Sequence, residues 1–177
     1  MSTHMPRFVA LLRAINTPPR HVKMDRLRSI FEALGCDDVA TFIASGNVIF
    51  NTAPEGDLVS RIETALEADL GFPVPVFLRT ATEVVAAADC RPFGDVEGSV
   101  EISFLPDGPD PDRVRELLDG VTGNDRLAVV GREVHWLRHG SRAESEHNEG
   151  RVVRTLGMLT TRRSAQTVRA IADRFLR

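Results

Sequence analysis

The sequence predicts an α+β fold of two ferredoxin-like units packed together, each with the element order β-α-β-β-α-β. Two observations support this prediction. Apolar residues alternate in some segments and recur at helical spacing in others, which separates strands from helices. The order of these segments is the same in both halves of the chain, although residue identity between the halves is poor.

The first unit, predicted at 1–90, begins with "RFVALLRAI" (7–15), which is apolar on both alternating faces and so predicts a central strand covered on both sides. A helix follows from Lys23 to Leu34, and Gly35 ends it as a C-cap glycine does.

Two strand-like stretches, "DVATFIA" and "NVIFN", come next and are joined across Ser45 and Gly46, a tight-hairpin signal. A second helix ends at Gly71. The strand "VPVFLR" (74–79) and a short helix over about 81–88 complete the unit.

The stretch "CRPFGDVEGS" is rich in Gly, Pro and acidic residues and predicts a linker at 91–98, followed by a second unit at 99–177 with an extra C-terminal helix. The elements expected there are a strand (100–105), a helix (110–119), the hairpin "DRLAVV-GR-EVHWLR", a helix (about 144–156), a short strand "LTTR" and a last helix (165–176).

The charge is unevenly distributed along the chain. Residues 1–28 carry six basic and one acidic side chain, and residues 132–177 carry ten and five, so the acidic excess lies between them. Two basic ends form one positive surface if they meet in space, as a phosphate or nucleic-acid site needs; the alternative is that these charges are simply solvated. Since 21 of the 22 basic residues are arginine, which indicates composition bias, their abundance is weak evidence for phosphate binding.

Several functional classes are not indicated. The chain has no apolar run of about 20 residues and no signal-peptide pattern at its start, so we expect a cytoplasmic protein without membrane contact. Cys36 and Cys90 cannot form a disulfide framework or a four-ligand zinc site. No Walker A, dinucleotide, HExxH or GxSxG motif is present, and His135 and His139 fall on a strand and its turn, so we expect no cofactor and no metal.

The predicted topology gathers polar residues at one edge of the first sheet. Strands one and two run parallel with strand three between them, so the end of the first strand, the start of the first helix and the following hairpin turn share that edge. The residues placed there are Arg13, Asn16, Lys23, Ser45 and Asn47. A helix start supplies N–H groups and partial positive charge, which favours an anionic ligand.

Each of these residues also has a structural interpretation. Gly46 is needed for a positive φ in the turn. Ser45 and Asn47 stabilise the turn or contact a ligand. Arg13 is either paired internally or reaches a ligand, and Asn16 is expected to close the loop before "TPPR".

A second candidate lies at "TTRRSAQTV" (160–168), where Ser164 is a suitable N-cap for the last helix. Arg162 or Arg163 beside that helix start could hold an anion. The alternative is an ion pair with Glu146 or Glu149.

At its first candidate edge the chain resembles the domain of unknown function 1697 family of bacterial proteins, whose members carry "ALLR-GIN", "VKM" and "SGNVVF". The matching stretches here are "ALLRAIN" (10–16), "VKM" (22–24) and "SGNVIF" (45–50). The family's ending resembles Thr-x-Arg-Asn-Trp-x-Thr. Arg163 and Thr167 match its Arg and second Thr, whereas Ser164 and Ala165 replace Asn and Trp. The resemblance implies the two-unit ferredoxin-like fold but no established activity, and Ala14 replaces the family's usual Gly.

Three functions remain open from the sequence. Binding of a small phosphate- or carboxylate-bearing ligand at the first edge, with Arg163 as a possible contribution from the C-terminal region, is favoured over catalysis, because no nucleophile and base pair is visible. RNA binding is less favoured, since the first strand lacks the aromatic residues that stack on bases and we expect its open face to pack against the other unit. The third function is a purely structural or interaction role.

Overall fold

The computed structural model describes residues 5–96, 98–139 and 141–177, without the side chains at 142, 144–147 and 149. The chain divides into two compact units, Met1–Ala86 with Ile171–Arg177, and Ala87–Ala170. The end of the chain therefore belongs to the first unit. The boundaries predicted at 90 and 99 stay a prediction.

The first half of the chain folds into a four-stranded sheet with helices in the predicted order. Its strands lie in the order β2 (Asp37–Thr41), β3 (Asn47–Asn51), β1 (Arg7–Leu12) and β4 (Val76–Thr80), and every neighbouring pair is antiparallel. This arrangement confirms the α+β class and agrees with the ferredoxin-like order of elements. The elements are β1 (Arg7–Leu12), α1 (Met24–Ala33), β2 (Asp37–Thr41), β3 (Asn47–Asn51), α2 (Leu58–Leu70), β4 (Val76–Thr80) and α3 (Ala81–Asp89).

The second half repeats this plan with its own antiparallel sheet, in the order β6 (Arg126–Val130), β7 (Glu133–Arg138), β5 (Ser99–Phe104) and β8 (Thr161–Ser164). The last helix continues as a π-helical turn over Ala172–Leu176. The elements are β5 (Ser99–Phe104), α4 (Pro111–Asp119), β6 (Arg126–Val130), β7 (Glu133–Arg138), α5 (Arg142–Leu156), β8 (Thr161–Ser164) and α6 (Ala165–Ile171).

Helix caps fix where several helices begin. The Asp57 carboxylate accepts a hydrogen bond of 3.0 Å from the Ser60 N–H at the start of α2, and Gly71 ends that helix at a φ of 80°. The Ser164 hydroxyl accepts from the Thr167 N–H at 3.1 Å at the start of α6, which confirms its predicted role as a cap.

Each unit has its own apolar core. In the first unit β1 is the buried centre, as the two-sided apolar pattern predicted, and α1 and α2 contribute Leu27, Phe31, Ile62 and Leu66. In the second unit the core of α4, α5 and the sheet contains Leu105, Leu117, Val134, Val152 and Leu156. No helix within the described ranges has the length and hydrophobicity that crossing a membrane would need.

The two sheets carry the same unexpected feature, a buried arginine one residue before the end of the last strand. Arg79 of β4 lies opposite Val9 of β1, and Arg163 of β8 lies opposite Ile102 of β5. Each guanidinium donates to the main-chain carbonyl of the preceding residue, at 3.0 and 2.8 Å respectively. The two halves of the chain therefore share an equivalent buried arginine, although their sequences are otherwise too different to align these two positions.

Two boundaries differ from the prediction at the edge that matters for function. Strand β1 ends at Leu12 instead of residue 15, because Ala14 takes a left-handed φ of 55° that a strand cannot contain. The β2–β3 connection is the five-residue loop 42–46 and not a tight hairpin, and Ile43 within it also has a positive φ, of 51°.

Candidate functional site

The end of β1 and the loop between β2 and β3 lie side by side at one edge of the first sheet. The Leu12 N–H donates to the Gly46 carbonyl at 2.8 Å, and Leu11 lies opposite Asn47. The topology that the sequence predicts for this edge is therefore confirmed. We call the loop 13–23 and the loop 42–46, together with the first turn of α1, the first-unit edge.

Gly46 has two reasons to be glycine. Its φ of 84° is in the region that glycine adopts without steric cost, as predicted. A Cβ atom at this position would also lie 2.9 Å from Ile15 Cδ1 and 3.0 Å from Leu12 Cβ, so the loop packs directly on the end of β1.

Asn47 is fully buried and stabilises the loop from inside. Its side-chain amide donates to the Phe42 carbonyl at 2.7 Å and to the Ser45 hydroxyl oxygen at 3.1 Å. The first bond closes the five-residue loop, and the second orients the exposed Ser45 hydroxyl. A ligand would therefore meet Ser45, while Asn47 supports it.

Asn16 connects the two loops of the first-unit edge. Its amide nitrogen donates to the Ala44 carbonyl at 2.6 Å, and its amide oxygen accepts from the Val22 N–H at 2.8 Å. The second bond closes the loop before α1 and spans the stretch "TPPR", which the sequence predicts to follow the loop that Asn16 closes. Both ends of the side chain are thus used to hold main-chain groups.

The loop 13–23 is strongly basic. Arg13, Arg20 and Lys23 are its three permanent cations, and it contains no acidic residue. Lys23 and Arg20 are exposed, whereas Arg13 is half-buried at the end of β1. The Arg20 guanidinium lies 4.3 Å from the centre of the Phe72 ring, a cation–π contact that fixes its position.

The first turn of α1 begins beside these cations without a side-chain cap. Lys23 occupies the N-cap position with an extended ψ of 140°, and its side chain makes no capping hydrogen bond. Uncapped N–H groups at a helix start attract anions through their hydrogen bonds and the helix dipole. Exposed His21 and Ser45 add further polar groups at this edge.

Arg163, the C-terminal candidate, belongs to the second unit and is buried in its sheet. Its guanidinium donates to Thr161 Oγ1 at 3.0 Å and to the Arg162 carbonyl at 2.8 Å. Burial lowers the pKa of Arg163 to about 10, so the side chain remains cationic at neutral pH. The structure thus gives Arg163 a role in supporting β8.

The neighbouring Arg162 takes part in a cluster on the other face of the second sheet. Its Nε atom lies 3.0 Å from a Glu101 carboxylate oxygen, and Arg138 Nη1 lies 3.2 Å from the other oxygen of that carboxylate. Both guanidinium groups flank the ring of Trp136, at 5.5 and 5.3 Å. The ion pair predicted with Glu146 or Glu149 involves side chains outside the described part of the chain.

Sequence reasoning missed Arg20 as a member of the first-unit edge. Its contact with Phe72 links positions that are far apart in the chain, so no local pattern indicates it. The signal that could have found it is the absence of acidic residues from 13 to 23, which marks the whole loop as basic.

Residues 5–135 match the family described as "Protein of unknown function (DUF1697)". The chain belongs to the DUF1697 family. The matched range contains the whole first-unit edge, with the three stretches that resemble the family. It ends before Ser164 and Ala165, the positions at which this DUF1697 chain departs from the family's ending.

Among solved structures, one similar to this DUF1697 chain is that of conserved bacterial protein SP0830 from Streptococcus pneumoniae. The TM-score is 0.76 at 22% identity, over 96% of this chain and 98% of that chain. At that identity the likeness shows a shared fold. None of the curated proteins compared matches this chain.

Proposed function

We propose that the first-unit edge binds a small anionic ligand that bears a phosphate or a carboxylate. The observation that carries this proposal is the acid-free loop 13–23, whose three cations lead directly into the uncapped start of α1. Positive side chains and a helix N-terminus favour negative charge in the same place, and their effects add when the two lie together.

The residues at this edge take different parts in the proposed binding. Lys23, Arg20 and Arg13 supply charge, and the Ser45 hydroxyl and the first N–H groups of α1 donate hydrogen bonds. Asn16 and Asn47 hold the two loops at the spacing that the ligand requires, through the bonds to Ala44 and Phe42. Substituting either of them would affect binding through the shape of the edge.

The proposed activity is binding and not a reaction. Among the described residues at this edge, five side chains are able to act as a base or a nucleophile, and no hydrogen bond between any two of them is found: Thr17, His21, Lys23, Asp25 and Ser45. A reaction by nucleophilic attack would need such a pair within hydrogen-bond reach.

The test is a titration of the protein with phosphate, sulfate, acetate and a nucleoside monophosphate, at constant ionic strength, followed by amide chemical shifts. Binding at the proposed place shifts the N–H resonances of Met24 and Asp25 in a saturable way. Lys23→Gln should raise the dissociation constant of the anion about ten-fold, since a hydrogen bond to a charged group contributes about 1.5 kcal/mol or more.

Arg61→Gln on α2 is the matched control, because it removes the same charge from another part of the first unit. Equal weakening by Arg61→Gln and Lys23→Gln would mean that net charge and not this edge attracts the anion. Binding of short single-stranded RNA that weakens steeply with salt, without saturable binding of any small anion, would support the RNA alternative instead.

A further inference from the structure

The second unit contains a small cavity of about 30 Å³ on one face of its sheet. Segment 90–94, strands β5 and β7, and helix α6 surround it. Its lining includes Cys90, Arg91, Phe93, Ile102, His135 and Arg169. A cavity needs about 10–15 Å³ to hold one water molecule, so this one has room for about two water molecules or for a small ligand of about four non-hydrogen atoms.

His135 forms the polar part of the cavity floor. The side chain is only 1% exposed, and among the described residues no hydrogen bond to its imidazole is found. Burial lowers the pKa of His135 to about 4, so at neutral pH the ring is uncharged and has one N–H donor and one acceptor. An imidazole nitrogen at the wall of a cavity is stabilised when a ligand atom in the cavity hydrogen-bonds to it, so His135 favours a ligand that can do so.

The charges around the cavity select the kind of ligand. Arg91 and Arg169 are exposed, and their guanidinium groups are held by main-chain carbonyls, Arg91 Nη1 by Ala88 at 2.8 Å and Arg169 Nε by Ala165 at 3.2 Å. A guanidinium has five N–H donors, so these bonds leave donors for a ligand. None of the described residues that line the cavity is acidic. Two cations, with no acidic side chain among the described lining residues, favour an anion over a metal ion.

We propose that this cavity binds the carboxylate of a small organic acid about the size of acetate. The carboxylate accepts hydrogen bonds from Arg91 and Arg169, which present planar donor pairs that match its two oxygens. The His135 N–H at the floor donates to one of the carboxylate oxygens, and the sides of Phe93 and Ile102 contact the carbon atoms of the ligand. This site lies within the second unit and does not depend on the binding proposed for the first-unit edge.

Cys90 provides a direct probe, because its half-buried thiol lines the cavity and the second cysteine, Cys36, is buried in the first unit. The experiment compares the alkylation rate of Cys90 by iodoacetate, which carries a carboxylate, with that by neutral iodoacetamide. The ratio of the two rates is divided by the same ratio for free cysteine. Peptide mass spectrometry reads both cysteines in the full chain.

We expect a normalised ratio of about five or more for Cys90, because a cationic site concentrates the anionic reagent. Acetate at constant ionic strength should lower the iodoacetate rate in a saturable way, and chloride should not. Arg169→Gln should bring the ratio towards one, whereas Arg115→Gln, which removes an exposed charge from α4, should leave it unchanged.

A normalised ratio near one for Cys90 in the parent protein overturns the proposal, and so does equal suppression by acetate and chloride, which is screening. His135→Leu separates the floor from the rim. This variant keeps both arginines, so the normalised rate ratio of Cys90 should stay above one. Acetate should protect Cys90 from iodoacetate less well than in the parent protein. If acetate protects Cys90 equally well in His135→Leu and in the parent protein, the imidazole does not bind the carboxylate and the proposal is contradicted. Thermal unfolding of each variant confirms that it is folded before its rates are compared.

Discussion

The side-chain amide of Asn16 donates a hydrogen bond of 2.6 Å to the main-chain carbonyl of Ala44, and so fastens the loop before α1 to the loop between β2 and β3. These two loops come from separate parts of the chain. Their connection through one side chain means that the shape of the first-unit edge depends on a residue that does not have to touch a ligand.

Asn16→Ala should lower the free energy of unfolding by about 1–3 kcal/mol, because the Val22 N–H and the Ala44 carbonyl both lose their partner. Asn16→Asp keeps an acceptor for Val22 but sets a carboxylate oxygen against the Ala44 carbonyl, so it should not restore the stability of the parent. Urea denaturation measures both. Thr17→Ala is the control in the same loop, since the Thr17 hydroxyl is exposed and its bond to the Ala14 carbonyl is long, at 3.4 Å. Equal costs for Asn16→Ala and Thr17→Ala would contradict this interpretation.

Ala14→Gly should raise the free energy of unfolding by up to about 1 kcal/mol, because the left-handed region costs an L-residue about 1–2 kcal/mol and glycine's extra chain entropy offsets part of the gain. The φ of Ala14 is 55°. Ala44→Gly, in the facing loop and without a positive φ, should lower it instead. The difference between the two midpoints of chemical denaturation is the readout, and a stabilisation by Ala44→Gly as large as that by Ala14→Gly would refute the assignment of strain.

The stability of the protein should fall as the pH is lowered from about 6.5 to 4. Burial lowers the pKa of His135 to about 4, so in this window the unfolded chain binds a proton that the folded chain does not. The full loss from this one group is about 3 kcal/mol, at about 1.4 kcal/mol for each pH unit of the shift. Its contribution is complete above pH 6.5.

Denaturation of the parent and of His135→Gln at a series of pH values tests this prediction. All other ionisable side chains are common to the two proteins, so the difference between the two curves isolates His135. The free energy of unfolding of the parent minus that of His135→Gln should be constant above pH 6.5. At pH 4 it should be about 3 kcal/mol lower. A difference that stays constant down to pH 4 would show that His135 is not buried as a neutral ring.

Phe175→Ala should destabilise the first unit locally. The Phe175 ring meets the Phe42 ring of the β2–β3 loop at 5.8 Å, and its carbonyl accepts from Arg7 Nε at 3.1 Å. Loss of a half-buried aromatic contact should cost about 1–2 kcal/mol. Hydrogen exchange reports the location, and amides of β2 should exchange faster. Phe175→Leu, which keeps apolar area at this position, should have a smaller effect, and unchanged exchange in β2 for Phe175→Ala would rule out the contact.

Much of the fold was predictable from the sequence, because both sheets are built from segments whose apolar periodicity is clear. Strand β1 and helices α1 and α2 are examples, since each buries one continuous set of apolar residues. The ends of the loops were not predictable. Ala14 and Ile43 have positive φ values, and neither residue type favours that conformation, so only the surrounding packing determines it.

The candidate site was predictable in part for the same reason. The adjacency of the β1 end and the 42–46 loop follows from strand order, and the structural roles of Asn16 and Gly46 follow from their local chemistry. The contact of Arg20 with Phe72 depends on tertiary packing. Arginine is usually exposed in proteins, so the sequence predicts exposed side chains at the two arginines that are buried in β4 and β8.

The membership of residues 171–177 in the first unit has a consequence for synthesis. A ribosome makes Phe42 long before Phe175, and the whole of 87–170 is translated between the two parts of this unit. At translation rates of about 5–20 residues per second, that interval lasts roughly 4–17 s. During this time the nascent chain exposes the Phe42 ring, so the first unit to emerge from the exit tunnel is the last to be completed.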